Sequence, residues 1–495
     1  MPTIQWLTCG SRCRLATLNA SLLIGALALV LPAGMASAKG PSENKGHNGG
    51  NDIISTTRNY VETFYPLWFT HLQFNVVPHN QLIGPDRISP VYQGVVAIND
   101  DTLYASSPID TSAGPVEVTV PETPVGYSVL LLDAYGNIYP SGVPSKAAGV
   151  DTPTTTYALV APDYDGGPVS GATLVRLPYP FMVLIFRADR FSNGVDMTTE
   201  ADAFRAALAL NGSPTEIRSV DEFAVPFKTI ADTLIRRYPV AFLQQLQAGV
   251  LEPSQRPPLT RQEQKLSDDF DALFGNGSGL SPAEEESFAQ GARTAHDALI
   301  SNYLYNVDEN NWIHFTNIGD WGKNVLDRAS ITEFIQYGNG SDTAAYYQTF
   351  LDGNGAPLEG GGAPLEEWQL EGIVDDELLL EGVVEPPGYV MTFPPGGAPA
   401  ASRFWSLTAY TPHAIELIPN AIDKYVVASY TPGLETNPDG SISIYISQTR
   451  PEGVPEANWL PVSDRAFNLM LRVYGVVPKS DVAKNKYVPP PVERW

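Results

Sequence analysis

The chain has 495 residues and a formal net charge of −25, from 55 acidic and 30 basic side chains. Such an acidic surface disfavours nucleic acids and anionic membranes as partners, because both repel negative charge. The length is sufficient for two or three domains with hydrophobic cores of their own.

The first predicted element is a secretory signal peptide over residues 1–38. Arg12 and Arg14 precede an apolar run, Leu22–Ala33, and an Ala-x-Ala pattern follows at Ala36–Ala38. The run is shorter than the roughly 20 apolar residues that span a bilayer, and it fits a signal peptide. We therefore expect an exported protein, periplasmic or extracellular, without a membrane span. A buried N-terminal helix is the alternative interpretation of this run.

Both cysteines, Cys9 and Cys13, lie inside the predicted signal peptide. The mature chain would then be free of cysteine, with no disulfide, no thiol nucleophile and no thiolate metal site. The histidines show no close spacing of the kind that binds a transition metal, and we assign no metal ligand. Calcium prefers hard oxygen ligands such as carboxylates, so the acidic composition leaves calcium as a possible cofactor.

A flexible linker and a helix are expected next. Residues 39–52 are polar and rich in glycine, which is typical of a tether. Aromatic residues recur at near-helical spacing over Thr57–Gln73, although Pro66 could kink or interrupt that helix.

The region 53–195 is predicted to be an N-terminal β domain with this helix at its start. Val116–Val120 alternates in the manner of a half-buried strand, and Tyr127–Leu132 is a short apolar run. Turn dipeptides rich in proline, glycine and aspartate separate such runs. Together these patterns favour short antiparallel strands.

The middle segment, 196–337, is predicted to be helical. Thr260 with Glu263 and Ser281 with Glu284 have the spacing of capping boxes, in which each side chain caps the other's backbone N–H. The segments with helical periodicity are Thr199–Leu210, Ile230–Gln247, Arg261–Phe274 and Pro282–Tyr305.

The region 338–495 is predicted to be a C-terminal β domain. It contains an acidic insertion at 356–385 without lysine or arginine, which we interpret as a surface loop or hairpin. The turn Asn437–Ser441 is expected to join the strands before and after it as a hairpin. The fold class is therefore α+β and β-rich, with a helical segment between two β domains.

Several motifs resemble a known pairing of bacterial domains, the domain of unknown function 1254 followed by the domain of unknown function 1214. The N-terminal motifs are Asn99-x-Asp101-Thr102-Leu103-Tyr104 and Asp133-x-Tyr135-x-Asn137, and the C-terminal motifs are Phe404-Trp405-Ser406-Leu407-Thr408-x-Tyr410, Asn458-Trp459-Leu460-Pro461 and Leu471-Arg472-x-Tyr474. The resemblance implies two antiparallel β-sandwich, jelly-roll-like domains separated by a helical segment in an exported protein. It supplies no established reaction.

Asp101 and Asp133 are the candidate catalytic residues. Each lies at the end of an apolar run, Val95–Ile98 in one case and Leu130–Leu132 in the other. If both runs end at the same edge of a sheet, the two carboxylates could act as general acid and base or hold Ca²⁺. The alternative is structural: Asp101 would accept backbone N–H groups in an Asx-turn.

Aromatic and amide side chains near these aspartates and in the C-terminal motifs are the candidate binding residues, since aromatic rings stack on sugar faces. They are Asn99, Tyr104, Tyr135, Asn137, Trp405 and Trp459. Core packing is the alternative, and we favour it for Trp405. Arg472, which alternates with Leu471 and Val473, either faces outward or pairs with an acid such as Asp439, and we favour a structural ion pair over a catalytic role.

Two functions stay open. The first is an exported hydrolase-type enzyme that acts on a carbohydrate or another polar envelope substrate through paired carboxylates. The second is a non-catalytic glycan-binding or envelope assembly protein. The expected partner is a carbohydrate or small polar ligand, and either function is compatible with a homo-oligomer.

Overall fold

The computed structural model describes residues 4–5, 17–18, 49–84, 99–192, 194–213, 230–315, 322, 324–335, 344–351, 388–411, 416–463 and 467–494. Within the predicted signal peptide, β1 (Ile4–Gln5) pairs with β2 (Thr17–Leu18). The rest of that segment, the run Val95–Ile98 and the acidic insertion 356–385 lie outside the described residues.

A helical unit surrounds one long helix. The helices are α1 (Gly49–Val76), α2 (Thr198–Ala207), α3 (Ile230–Arg237), α4 (Pro239–Val250), α5 (Arg261–Phe274), α6 (Pro282–Leu304) and α7 (Val325–Ile335). All but α2, which packs on the first β sheets, belong to this unit. α1 begins inside the predicted linker and continues through Pro66. Tyr60, Phe64 and Trp68, spaced four residues apart on one face of α1, are fully buried in the core of the unit.

The helix caps predicted from sequence are confirmed. The Glu263 N–H donates to Thr260 Oγ1 at 3.2 Å, and the Thr260 N–H donates to Glu263 Oε2 at 2.8 Å. The same reciprocal pair forms at the start of α6. The single helix expected over Ile230–Gln247 is instead two, α3 and α4, because Pro239 has no N–H to continue the first helix and suits the start of the second.

The N-terminal β unit contains two four-stranded sheets. Its strands are β3 (Thr102–Asp110), β4 (Val116–Val120), β5 (Tyr127–Leu132), β6 (Ile138–Tyr139), β7 (Thr155–Val160), β8 (Thr173–Arg176), β9 (Phe181–Asp189), β10 (Phe191–Ser192), β11 (Val195–Asp196) and β12 (Ala209–Asn211). The sheet orders are β3-β9-β5-β6 and β12-β4-β7-β8, and β10 pairs with β11. Alternate residues of both sheets contribute to a single hydrophobic cluster.

The C-terminal β unit also contains two four-stranded sheets. Its strands are β13 (Ala344–Leu351), β14 (Tyr389–Phe393), β15 (Ala401–Tyr410), β16 (Val426–Ala428), β17 (Ile442–Ser447), β18 (Trp459–Pro461), β19 (Phe467–Val476) and β20 (Val492–Arg494). The sheet orders are β13-β19-β15-β16 and β18-β17-β14-β20. A hydrophobic cluster draws residues from both.

The predicted hairpin at Asn437–Ser441 is wrong. The Asn437 N–H donates to the Ser441 carbonyl oxygen at 2.8 Å, so the turn itself is present. However, β16 before it pairs with β15, and β17 after it pairs with β14 and β18, so the turn lies in a connection between two sheets. A turn signal specifies local direction but not the partner strand.

The mixed α+β class is confirmed. Within the described ranges, no helix is both long enough and apolar enough to span a membrane.

Candidate functional site

The Asn99-Asp100-Asp101 stretch forms the turn that starts β3, and the side chain of Asn99 closes this turn by accepting hydrogen bonds from the residues that follow it. Asn99 Oδ1 accepts the N–H groups of Asp101 at 3.0 Å and Thr102 at 2.9 Å, and the Thr102 hydroxyl at 3.1 Å. The Asx-turn considered for Asp101 therefore belongs to Asn99. The side chain of Asp101 is left to make other contacts.

Asp101 bonds across to the C-terminal β unit. Ser406 Oγ on β15 donates to Asp101 Oδ2 at 2.7 Å, and the Tyr430 hydroxyl donates to Asp101 Oδ1. The Asp101 side chain is fully buried. Burial raises the pKa of Asp101, while the hydrogen bonds from Tyr430 and Ser406 oppose that rise. Asp101 is thus a buried acid held between the two β units by neutral donors.

Arg472 lies beside this carboxylate. It is opposite Ser406 in the pairing of β15 with β19, and its Nη1 donates to the Tyr410 hydroxyl at 2.7 Å. Its side chain is 2% exposed. The Arg472 charge lowers the pKa values of Asp101 and of Tyr303 at the end of α6, although burial raises both. The Asp439 partner expected for Arg472 is instead bonded to Ser441.

Arg187 approaches the same place from the N-terminal β unit. It is opposite Tyr104 in the pairing of β3 with β9, and its guanidinium carbon lies 5.9 Å from the centroid of the Tyr104 ring. The residue is 2% exposed, and its Nε has no hydrogen-bond partner in the part of the chain that the structure describes. A buried nitrogen without an acceptor is uncommon, because nearly all buried polar groups in proteins are hydrogen-bonded.

Tyr474 connects the two arginines. Burial raises the pKa of Tyr474 well above its ordinary value, and the charge of Asp101 adds to the rise. The guanidinium groups of Arg472 and Arg187 both oppose it. One phenol is therefore within electrostatic reach of a carboxylate from one β unit and of an arginine from each.

A row of polar side chains on β15 faces this region. Residues two apart on a strand share a face, so Ser406, Thr408 and Tyr410 lie in line. Ser406 bonds to Asp101 and Tyr410 to Arg472, whereas the Oγ1 of fully buried Thr408 between them makes no hydrogen bond to a described residue. We call these side chains the inter-unit cluster: Asp101, Tyr104, Arg187, Ser406, Thr408, Tyr410, Tyr430, Arg472 and Tyr474.

Two ion pairs border the inter-unit cluster. Arg403 on β15 binds Asp189 at the end of β9, and Arg190 binds Asp100. Burial raises the pKa of each carboxyl group to about 6, although the arginine beside it acts in the opposite direction. The Asp100 and Asp189 carboxylates are therefore each already paired with an arginine side chain.

Asp101 and Asp133 do not form a carboxylate pair. β3 and β5 both run antiparallel to β9, which lies between them, so they are parallel to each other. Asp101 precedes the first residue of β3, whereas Asp133 follows the last residue of β5. At about 3.3 Å per strand residue, the two lie at opposite ends of the sheet, about 25 Å apart. The paired-carboxylate hypothesis assumed two strand ends at one edge.

Asp133 is also saturated with donors. Its Oδ1 accepts the N–H groups of Tyr135 at 2.8 Å and Asn137 at 3.0 Å. Its Oδ2 accepts Asn137 Nδ2 at 2.9 Å and the Tyr139 hydroxyl at 3.0 Å. The carboxylate therefore organises the turn from β5 to β6.

The other candidate binding residues are dispersed. Trp405 is buried in the C-terminal core, where its ring centroid lies 4.9 Å from that of Phe393. Trp459 is half-buried, and its Nε1 donates to the Ser447 carbonyl oxygen at 3.0 Å.

Tyr135 is buried beside the helical unit, with the Arg328 guanidinium carbon 3.8 Å from its ring centroid. Asn137 stays with Asp133. Of the candidates, the structure brings together Asn99, Asp101 and Tyr104, since Asn99 Nδ2 donates to the Tyr104 hydroxyl.

Arg187, Thr408 and Tyr430 were not predicted from sequence as site residues. Arg187 had a signal, because it is a charge within the otherwise apolar run Phe181–Ala188. Tyr430 had none, since its role depends on contact with Asp101 across the chain. Among the described residues, no three His, Cys, Asp or Glu side chains are grouped so as to hold a metal ion.

Comparisons with known proteins find families without a described function. Residues 75–212 match a protein of unknown function (DUF1254), and residues 380–479 match a protein of unknown function (DUF1214). No curated protein matches the chain.

Two solved structures are similar. The VPA0106 protein from Vibrio parahaemolyticus is 16% identical over 90% of this chain and 100% of its own, with a TM-score of 0.56. A putative uncharacterized protein from Burkholderia cenocepacia is 14% identical over 90% of this chain and 92% of its own, with a TM-score of 0.41. The first likeness supports the fold alone.

Proposed function

We propose that this chain, which matches DUF1254 and DUF1214, binds a small anionic ligand where the two β units meet. The observation that carries this proposal is Arg187, a buried arginine whose Nε has no hydrogen-bond partner among the described residues. An oxyanion beside it would supply the missing acceptor.

The balance of charge in the inter-unit cluster supports an anion. Arg187 and Arg472 bring two positive charges, and Asp101 brings one negative charge at most. An isolated buried charge is costly, so a cluster with excess positive charge favours an anionic occupant. Guanidinium groups suit carboxylates and phosphates because of their planar array of donors.

The two-carboxylate hydrolase hypothesis has little support from these contacts. Asp100 and Asp189 lie close enough for the charge of Asp101 to act on them, and each is paired with its own arginine. A binding function needs no second carboxylate. Asp101 stays a candidate for proton transfer to a bound ligand, since burial raises its pKa.

The proposal includes two broader features. The signal-peptide pattern of residues 1–38 supports export, so the ligand would be met in the periplasm or outside the cell. Within each β unit, the hydrophobic cluster shared by its two sheets supports a β-sandwich of the jelly-roll type.

The test is calorimetric titration of the purified protein with acetate, benzoate, citrate and inorganic phosphate. Binding of at least one anion is expected, and Arg187→Met should weaken that binding about 100-fold, because a charge-assisted contact is lost. The matched control is Arg176→Met, since Arg176 is an exposed arginine that donates to the carbonyl oxygens of Ala161 and Pro162. Absence of binding by every anion, or equal binding by both variants, would contradict the proposal.

A further inference from the structure

We infer that the ligand carries a hydroxyl group beside its anionic group, and so belongs to the hydroxy acids, such as sugar acids. This inference rests on the proposed function, because it names the ligand class of the same site. It concerns Asp101 and Thr408, two buried polar groups whose hydrogen-bonding capacity is not filled by an anion bound to the arginines.

Asp101 has acceptor capacity left. An ionised carboxylate offers about four lone-pair sites. Asp101 receives two donors in the described structure, the hydroxyls of Ser406 and Tyr430, and it has no exposed surface on which water could complete the set. A ligand that donates a hydrogen bond would satisfy this carboxylate.

Thr408 adds a second group of the same kind. Its hydroxyl can both donate and accept, and it is buried without a hydrogen-bond partner among the described residues. It lies on β15 between Ser406, which binds Asp101, and Tyr410, which binds Arg472. A ligand that reaches from the arginines to Asp101 would therefore pass Thr408.

The donor is more suitably a hydroxyl than an ammonium group. The charges of Arg472 and Arg190 both act on Asp101, and they would repel a second cation there. A neutral hydroxyl avoids that repulsion. The anionic end of the ligand would be drawn to Arg187 and Arg472, away from the negative charge of Asp101.

The experiment compares matched ligands that differ in one group. Lactate, propionate and alanine form one set, and mandelate, phenylacetate and phenylglycine form the other. Each is titrated calorimetrically into the purified wild-type protein, into Asp101→Asn and into Arg187→Met. Tyr430→Phe, which removes one hydroxyl donor from Asp101 and leaves the Asp101 charge in place, is a second variant that probes the same carboxylate.

The hydroxy acid of a set should bind wild-type protein about tenfold more tightly than its deoxy analogue, the size of one hydrogen bond. Asp101→Asn should remove this preference, so that the hydroxy acid and its deoxy analogue bind alike, and a cooperative thermal melt shows that the variant is folded. Arg187→Met should weaken all acids alike. If Asp101→Asn does not fold, Tyr430→Phe must alter the affinity for the hydroxy acid alone.

Two failures are distinguishable. If acids bind and depend on Arg187 but show no preference for the hydroxyl, or prefer the amino acid, the inference is overturned and the proposed function stands. If no acid of either set binds, or if binding ignores Arg187, the proposed function fails and the inference fails with it.

Discussion

Arg403 of the C-terminal β unit holds Asp189 of the N-terminal β unit in a two-point ion pair. Its Nε donates to Asp189 Oδ2 at 3.0 Å, and its Nη2 donates to Oδ1. Both side chains are largely buried. The pair lies at the edge of the inter-unit cluster and is one of the contacts that join the two β units.

We expect Arg403→Met to destabilise the protein by about 3 kcal/mol, because it leaves the buried Asp189 carboxylate without its partner. The measurement is chemical unfolding followed by tyrosine and tryptophan fluorescence. Arg293→Met is the control, since Arg293 pairs with the exposed Glu286 and such a surface pair contributes about 0–1 kcal/mol. Equal losses in the two variants would contradict a special role for Asp189.

The pH dependence of stability follows from Asp100 and Asp189. Burial raises their pKa values from 3.8 to about 6, so between those values the folded protein binds protons that the unfolded chain releases. Stability contributed by these groups is therefore greatest at low pH and falls as the pH rises toward 6. Each contributes on the order of 3 kcal/mol across this window.

Urea unfolding of the wild-type protein and of Asp100→Asn between pH 4 and pH 7 checks this expectation. The asparagine variant cannot titrate at this position, so its stability should rise relative to wild type as the pH increases. A constant difference between the two proteins would show that Asp100 does not take up a proton in this range.

Gly126→Ala should also weaken the junction of the β units. A Cβ atom at Gly126 would lie 2.6 Å from Asp189 Oδ2 and 3.1 Å from the Ala148 nitrogen, so the Asp189 side chain must move. We expect a loss of about 1–3 kcal/mol in unfolding free energy. Gly167→Ala is the matched control, because its Cβ would have no neighbour within 4 Å. A thermal melt that is unchanged by Gly126→Ala would contradict the expectation.

Asp133→Ala should lower stability without affecting ligand binding. It removes the acceptor of four hydrogen bonds in a buried turn, and a loss of about 3 kcal/mol is reasonable for that number of groups. Because Asp133 lies at the far end of its sheet from Asp101, the affinity for any anion found should be that of the wild-type protein. An affinity loss in the folded variant would show that the two aspartates act together.

Local sequence patterns predicted local structure well in this chain. The alternation of Val116–Val120 and the capping box of Thr260 both describe contacts between residues a few positions apart, and both are found as expected. Several strands, among them β3, β12, β13 and β20, were not predicted. β12 and β20, with three residues each, are too short for their own periodicity to identify them.

The candidate site was predicted only in part, for the same physical reason. Asn99 and Asp101 both stand at the predicted turn, but which of them caps it depends on geometry, and the partner of Asp101 comes from residues 406 and 430. Arg472 was interpreted as an ion-pair residue because nothing near it in sequence indicates Tyr410, which lies 62 residues away. Contacts between distant segments decide the site, and periodicity carries no information about them.

β15 has consequences for how the protein can change. Its odd-numbered residues Trp405, Leu407 and Ala409 lie in the C-terminal core, while the even-numbered Ser406 and Thr408 belong to the inter-unit cluster. In the ligand site that we propose, substitutions at even positions would therefore alter which ligand is accepted while the core stays intact. Deletion of a single residue, by contrast, would exchange the two faces and destroy both at once. The residues on the cluster face of β15 can therefore change by substitution, whereas the number of residues in β15 cannot change.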